Sequence, residues 1–209
     1  MTQAQSYNFL GGEFYFNFQS RATRLKPMES ALGELRGKAG LNFLEIGSCE
    51  GQSTLWFITE ILTHPTSSIT CIDPHTEQDD WYNNPNNEHR LQTEKTTYEL
   101  FKSNILDKHE DKVVYYRAKS YDILPSLTDK FDVIYVDGNH TFPSVYWDGR
   151  YSISLLKTGG IIMFDDYWEN DNNEMYRAVC ELKKEGTITN ATVHNNEAVL
   201  IMSLSSSAE

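Results

Sequence analysis

Short apolar runs alternate with longer amphipathic stretches along this chain, the one-dimensional signature of βα units stacked into a parallel sheet. The runs Leu41 to Ile46, Ile69 to Asp73, Val113 to Arg117, Phe131 to Asp137 and Gly160 to Asp165 predict five strands. Helical periodicity falls between and after them, at Ser53 to Leu62, about Arg90 to His109, Tyr121 to Leu127, Phe142 to Leu156 and Asn173 to Lys184. Two further runs, Ile188 to His194 and Ala198 to Ser203, flank Asn195-Asn196-Glu197, and Asn tolerates the positive φ of a tight turn, so an antiparallel hairpin is expected to close the sheet. The pattern predicts a Rossmann-like α/β domain over 41–204, seven-stranded and mostly parallel with the hairpin at its C-terminal end, preceded by an aromatic and helical segment over 1–40. In that segment Phe14, Phe16 and Phe18 alternate after Gly11-Gly12, which suits an edge strand, a lid or a dimer arm packed on the core.

A length of 209 residues fits one domain with a well-buried core. The net charge of −12 repels phosphate backbones, and the dispersed Lys and Arg form no basic patch, which argues against a nucleic-acid partner. No run has the length of a membrane span and the N-terminus lacks a signal-peptide pattern, so a soluble, cytoplasmic protein is expected. Cys49, Cys71 and Cys180 are widely spaced and are expected as thiols.

The first strand runs into Glu45-Ile46-Gly47-Ser48-Cys49-Glu50-Gly51 and then a helix. Gly47 can take φ values closed to other residues and lets a ligand approach the backbone. The helix start offers N–H groups to a carboxylate, and Ser53 adds a hydroxyl. A pyrophosphate site favours GxGxxG, whereas this chain has GxxxG. Asp73, 26 positions after Gly47, ends the second strand where a carboxylate can accept both ribose hydroxyls of an adenosine. A nucleoside without pyrophosphate is the implied ligand; the plainer alternative is a tight turn and a loop acid.

Strand four ends in Val136-Asp137-Gly138-Asn139-His140 and strand five in Phe164-Asp165-Asp166-Tyr167-Trp168. In an open α/β sheet both ends face the ligand crevice. Asp137, Asp165 and Asp166 would then form an oxygen-only set suited to Mg²⁺ or Mn²⁺, which would acidify an acceptor hydroxyl. His140 is the candidate general base. Alternatively one acid caps a helix and His140 is an ordinary loop residue. Trp81, Tyr82, Trp147, Tyr167 and Trp168 are expected near the crevice rim, with an Asn-rich loop from Asn83 to Asn87 that suits sugar hydroxyls; ordinary packing is the alternative for each ring.

Leu44-Glu45-Ile46-Gly47 through Gly51-Gln52-Ser53 resembles motif I of class I S-adenosylmethionine (SAM)-dependent methyltransferases, with Asp73 at the motif II position. Ala118-Lys119-Ser120-Tyr121-Asp122-Ile123-Leu124-Pro125 resembles the segment after the third strand in catechol-type O-methyltransferases, where the residue matching Ser120 contacts adenine. DGNH followed by GGIIMFDD resembles the metal-dependent, macrocin-type sugar O-methyltransferases, whose three metal ligands match Asp137, Asp165 and Asp166. The resemblance implies SAM held by Glu45, Gly47, Ser48, Gly51, Ser53, Asp73, Ala118, Ser120 and Asp137, with Asp137 and His140 at the reaction. It implies Mg²⁺ or Mn²⁺ on Asp137, Asp165 and Asp166, and an acceptor glycan or glycosylated small molecule against Trp81, Tyr82, Tyr167 and Trp168. One departure is Asn139, where some sugar enzymes carry an acidic base. A catechol acceptor, a non-catalytic SAM-binding module and, more remotely, a nicotinamide oxidoreductase compete with this reading, and a homodimer is compatible with the aromatic N-terminus.

Overall fold

A computed structural model describes residues 5–9, 12–16, 28–76, 96–168, 171–188, 191–196 and 199–204. Trp81, Tyr82, Phe18 and the Asn-rich loop lie outside the described residues.

Two short strands, β1 (Gln5–Phe9) and β2 (Gly12–Phe16), pair antiparallel as a sheet of their own, with Tyr7 opposite Phe14. The main sheet contains β3 (Asn42–Ile46), β4 (Ser68–Ile72), β5 (Val113–Tyr116), β6 (Phe131–Val136) and β7 (Leu156–Asp165), all parallel, in the order 5-4-3-6-7. Beyond β7 the order continues with β9 (Val199–Leu204) and then β8 (Ala191–Asn196), paired antiparallel. The chain moves outward from β3 to β5, then returns to lay β6 on the other side of β3. That reversal opens a crevice at the C-terminal ends of β3 and β6.

The sheet is covered on both faces, as its near-continuous apolar strands require. On one face Phe43, Val133, Tyr135 and Met163 pack with Phe57, Ile61, Phe101 and Ile105. On the other, Leu44, Ile46, Ile134, Val136, Ile162 and Phe164 meet Val145, Met175, Ala178, Val179 and Leu182. The period of two along each strand sends alternate residues to opposite faces, which fixes the register of every strand.

The covering helices are α1 (Gln52–Trp56), α2 (Thr97–Phe101), α3 (Ser120–Ile123), α4 (Phe142–Leu155) and α5 (Glu174–Lys184). Both α1 and α2 continue as single π-helical turns, over Phe57–Ile61 and Lys102–Leu106. Thr96 and Glu99 form a reciprocal capping box at the start of α2. Asn173 caps α5 by accepting the Tyr176 N–H at 2.8 Å. Pro125 cuts the helix expected over Tyr121 to Leu127 to the single turn α3 followed by a 3₁₀ turn. No helix among the described residues is long and apolar enough to cross a membrane.

Candidate active site

The turn leaving β3 is set by two glycines with different jobs. Gly47 has φ of +87°, and a Cβ there would collide with the Asp137 carbonyl oxygen and lie 2.5 Å from Asp137 C and 2.6 Å from Gly138 Cα. Its missing side chain therefore admits the end of β6. Gly51, also at +87°, precedes α1, and a Cβ on it would run into Ile105 and Phe101. The missing side chain at Gly51 lets the helix after β4 lie against the turn.

Asp73 closes the turn from the neighbouring strand. Its Oδ2 accepts the Ser48 N–H at 2.9 Å and the Cys49 N–H at 2.8 Å, and its Oδ1 accepts the His75 N–H at 2.7 Å. The carboxylate assigned to ribose hydroxyls thus also shapes the backbone of the glycine turn. Its side chain is 13% exposed.

Glu45, expected to line the donor pocket, is fully buried. Strand alternation points it under α1, where Ser53 Oγ donates to Oε1 at 2.5 Å and the Thr54 hydroxyl donates to Oε2. Burial raises its carboxyl above the usual range, opposed by these hydrogen bonds. Ser53 is thereby committed to Glu45, and the pair fixes the helix start. Ser48 is buried in the turn, and Ala118 and Ser120 are half-buried at the C-terminal end of β5.

At the mouth between β6 and β7, His140 stands between two carboxylates. Its Nε2 is 3.2 Å from Asp137 Oδ1 and its Nδ1 is 3.5 Å from Asp166 Oδ2, with the His140 side chain 36% exposed. Asp166 has φ of +49°, and this left-handed residue turns the chain at the end of β7. On either side of it the outcomes diverge. Asp165 is fully buried, and Tyr167 is 2% exposed, its ring 5.6 Å from that of Tyr176 in the core. Tyr167 therefore does not reach an acceptor, whereas Trp168 is 48% exposed. Trp147, equally exposed, lies on α4 beside Tyr151, their ring centroids 6.1 Å apart.

The expected three-carboxylate metal set does not assemble in this arrangement. Among the described residues no group of three or more His, Cys, Asp or Glu side chains is placed to hold an ion. Asp137 and Asp166 instead face His140 from opposite sides, and Asp165 points into the protein.

Two residues escaped the sequence reasoning. His75, 4% exposed with φ of +42°, sits directly behind the glycine turn, an enclosure that no local signal marks. Asp148 of α4 is 3% exposed, and burial pushes its carboxyl up to about 6, opposed by a hydrogen bond with Ser120. Only the packing of α4 against Gly138 and Ile46 brings that acid beneath the site, so no local signal marks it.

The parallel order 5-4-3-6-7, with a glycine turn after β3 and an acid at the end of β4, defines the architecture of class I methyltransferases, the SAM-dependent kind. Solved structures of this class superpose over most of the chain. The O-methyltransferase TomG of Streptomyces achromogenes, involved in tomaymycin synthesis and solved with SAM, aligns with a TM-score of 0.59 at 16% identity, over 90% of this chain and 82% of its own. An O-methyltransferase of Bacillus cereus in complex with SAH gives 0.56 at 14%, over 90% and 92%. The precorrin-6y C5,15-methyltransferase of Geobacter metallireducens gives 0.56 at 15%, over 85% and 86%. No curated protein matches the sequence significantly. A family model described as a methyltransferase domain matches residues 44–167, more than half of the chain, and the chain belongs to that family.

Proposed function

We propose that this protein transfers a methyl group from SAM to a hydroxyl of a sugar, carried by a glycan or a glycosylated small molecule. The observation that carries the proposal is the placement of His140, half-exposed at the mouth and flanked by Asp137 at 3.2 Å and Asp166 at 3.5 Å. As the acceptor oxygen attacks the methyl carbon, the C–O bond forms and the C–S bond breaks. The acceptor's proton passes to His140, and S-adenosylhomocysteine (SAH) leaves with the sulfur's electron pair. The two carboxylates orient the ring and stabilise the imidazolium that forms.

SAM occupies the turn after β3, with Gly47, Ser48, Asp73 and Ser120 around it. Oxygen as the acceptor atom is supported by the shared fold of the two O-methyltransferases, and a sugar by the exposed Trp168 beside Asp166, since an indole face stacks on sugar C–H groups. Trp81, Tyr82 and the Asn-rich loop belong to the same acceptor reading. No step is routed through a divalent ion, because the three acids do not share one centre. A metal-assisted route on Asp137 and Asp166 is the second reading, favoured by the two carboxylates that stand on either side of His140.

The test is methyl transfer from labelled SAM to a panel of sugars, glycosides and catechols, with Mg²⁺ or Mn²⁺ and with EDTA. His140→Ala is expected to lower kcat about 10²- to 10⁴-fold while SAH affinity stays unchanged. Activity abolished by EDTA would replace the His140 route with the metal route. Transfer to catechols alone would overturn the sugar assignment, and transfer to none would leave SAM binding without an acceptor among these classes.

A further inference from the structure

The glycine turn is gripped from behind by a residue outside the motif. His75 is almost wholly enclosed, its side chain 1% exposed, with its ring centroid 5.1 Å from that of Phe101 and 5.7 Å from those of Tyr98 and Tyr115. Its Nε2 lies 2.6 Å from the Cys49 carbonyl oxygen and its Nδ1 2.6 Å from the Tyr115 hydroxyl. A carbonyl can only accept, so Nε2 carries the proton. Tyr115 Oη, at 2.6 Å from Nδ1, also donates to the Asp73 carbonyl oxygen at 3.2 Å, so it ties the ring to the end of β4. Burial, followed by the charge of Asp73, raises the Tyr115 hydroxyl well above its ordinary range, so its proton is held.

Backbone conformation points the same way. Cys49, His75 and Asp166 are the described non-glycine residues with positive φ, at +47°, +42° and +49°. All three lie just past the C-terminal ends of parallel strands. Such strain persists only where surrounding contacts over-determine it. For His75 those contacts are its N–H to Asp73 Oδ1 at 2.7 Å and its carbonyl oxygen to Arg117 Nη2 at 3.3 Å. Asp73 holds the N–H groups of Ser48 and Cys49 while His75 holds the Cys49 carbonyl, so the turn is fixed through both kinds of backbone group.

We infer that His75 is a positioning residue for the methyl-donor site: its Nε2–H, with the ring fixed by Tyr115, holds Cys49 so that the glycine turn is preformed for the donor. This rests on the reading that SAM occupies that turn. A ring that merely filled space would be replaceable by phenylalanine, whereas a ring acting through its Nε2–H would be replaceable by glutamine, whose amide offers a donor at similar reach.

The experiment compares His75→Phe, His75→Gln and Tyr115→Phe with the parent protein by SAH titration and by amide exchange of the 46–51 segment in the free protein. His75→Phe is expected to raise the Kd for SAH, and the KM for SAM, about tenfold and to speed exchange. His75→Gln stays within about threefold on both readouts, and Tyr115→Phe falls between them. Tight SAH binding and unchanged exchange in His75→Phe would overturn the inference, as would a glutamine variant as weak as the phenylalanine one. If His75→Phe does not fold, as judged by circular dichroism, Tyr115→Phe against His75→Gln decides. Should the parent protein bind no SAH, the donor-site reading fails, and the exchange comparison alone decides whether His75 holds the turn.

Discussion

Replacing Gly47 by alanine separates two costs that the structure assigns to one position. The first is conformational: at φ of +87° a Cβ crowds its own backbone, which costs about 1 to 2 kcal/mol. The second is steric. The new carbon would overlap the Asp137 carbonyl and lie 2.5 Å from Asp137 C and 2.6 Å from Gly138 Cα. Those atoms are backbone, so no side chain can rotate away, and the ends of β3 and β6 must part against the Asp137 N–H bond to the Ile46 carbonyl at 2.8 Å. Overpacking of this kind adds about 1 to 3 kcal/mol, giving a total loss of roughly 2 to 5 kcal/mol. Gly159 supplies the control, because it has φ of +76° and a Cβ there would have nothing within 4 Å. Gly159→Ala should therefore cost only the conformational part, about 1 to 2 kcal/mol. Urea unfolding of both variants measures the difference, and titration with SAH measures its effect on the pocket. Gly47→Ala should be the less stable of the two and should bind SAH weakly. Equal stabilities, with SAH binding intact in Gly47→Ala, would refute the close approach of β6 as the reason for this glycine.

Other perturbations probe the rest of the molecule. Lys112 Nζ donates to the carbonyl oxygens of Leu62, His64 and Ser67 at 2.7, 2.8 and 3.3 Å, tying down the entry to β4. Lys112→Met should cost about 2 to 3 kcal/mol in urea unfolding, and a loss below about 0.5 would count against the role of this tie. Asp148 has its folded-state carboxyl raised to about 6, so the native state binds this proton more tightly than the unfolded chain, and the group becomes destabilising as pH rises through that value. Asp148→Asn should accordingly stabilise the fold at pH 8 by about 1 to 3 kcal/mol and by much less at pH 4; a gain equal at both pH values would mean the charge is not the cause. Trp168→Ala should raise the acceptor KM about tenfold while leaving the Kd for SAH unchanged, and a shift in both would place the indole in the donor pocket instead.

Much of this protein was legible as a line of residues. Five parallel strands follow from apolar runs whose period and flanking turns local sterics and burial dictate, and a glycine after the first with an acid after the second marked the turn that Asp73 closes. The candidates at His140, Asp137 and Asp166 were legible because strand ends in such a sheet face one crevice. What local pattern could not decide is which of several neighbouring side chains turns inward. One left-handed residue, Asp166, reorients the chain so that Asp165 and Tyr167 are buried while Trp168 is exposed. The reason for Gly51 is Ile105, and the residue that grips Cys49 is His75, each brought there by the packing of a different element. Periodicity is a property of neighbours along the chain and determines the elements; enclosure and hydrogen-bond partnership belong to neighbours in space, and only the assembled sheet and helices decide them.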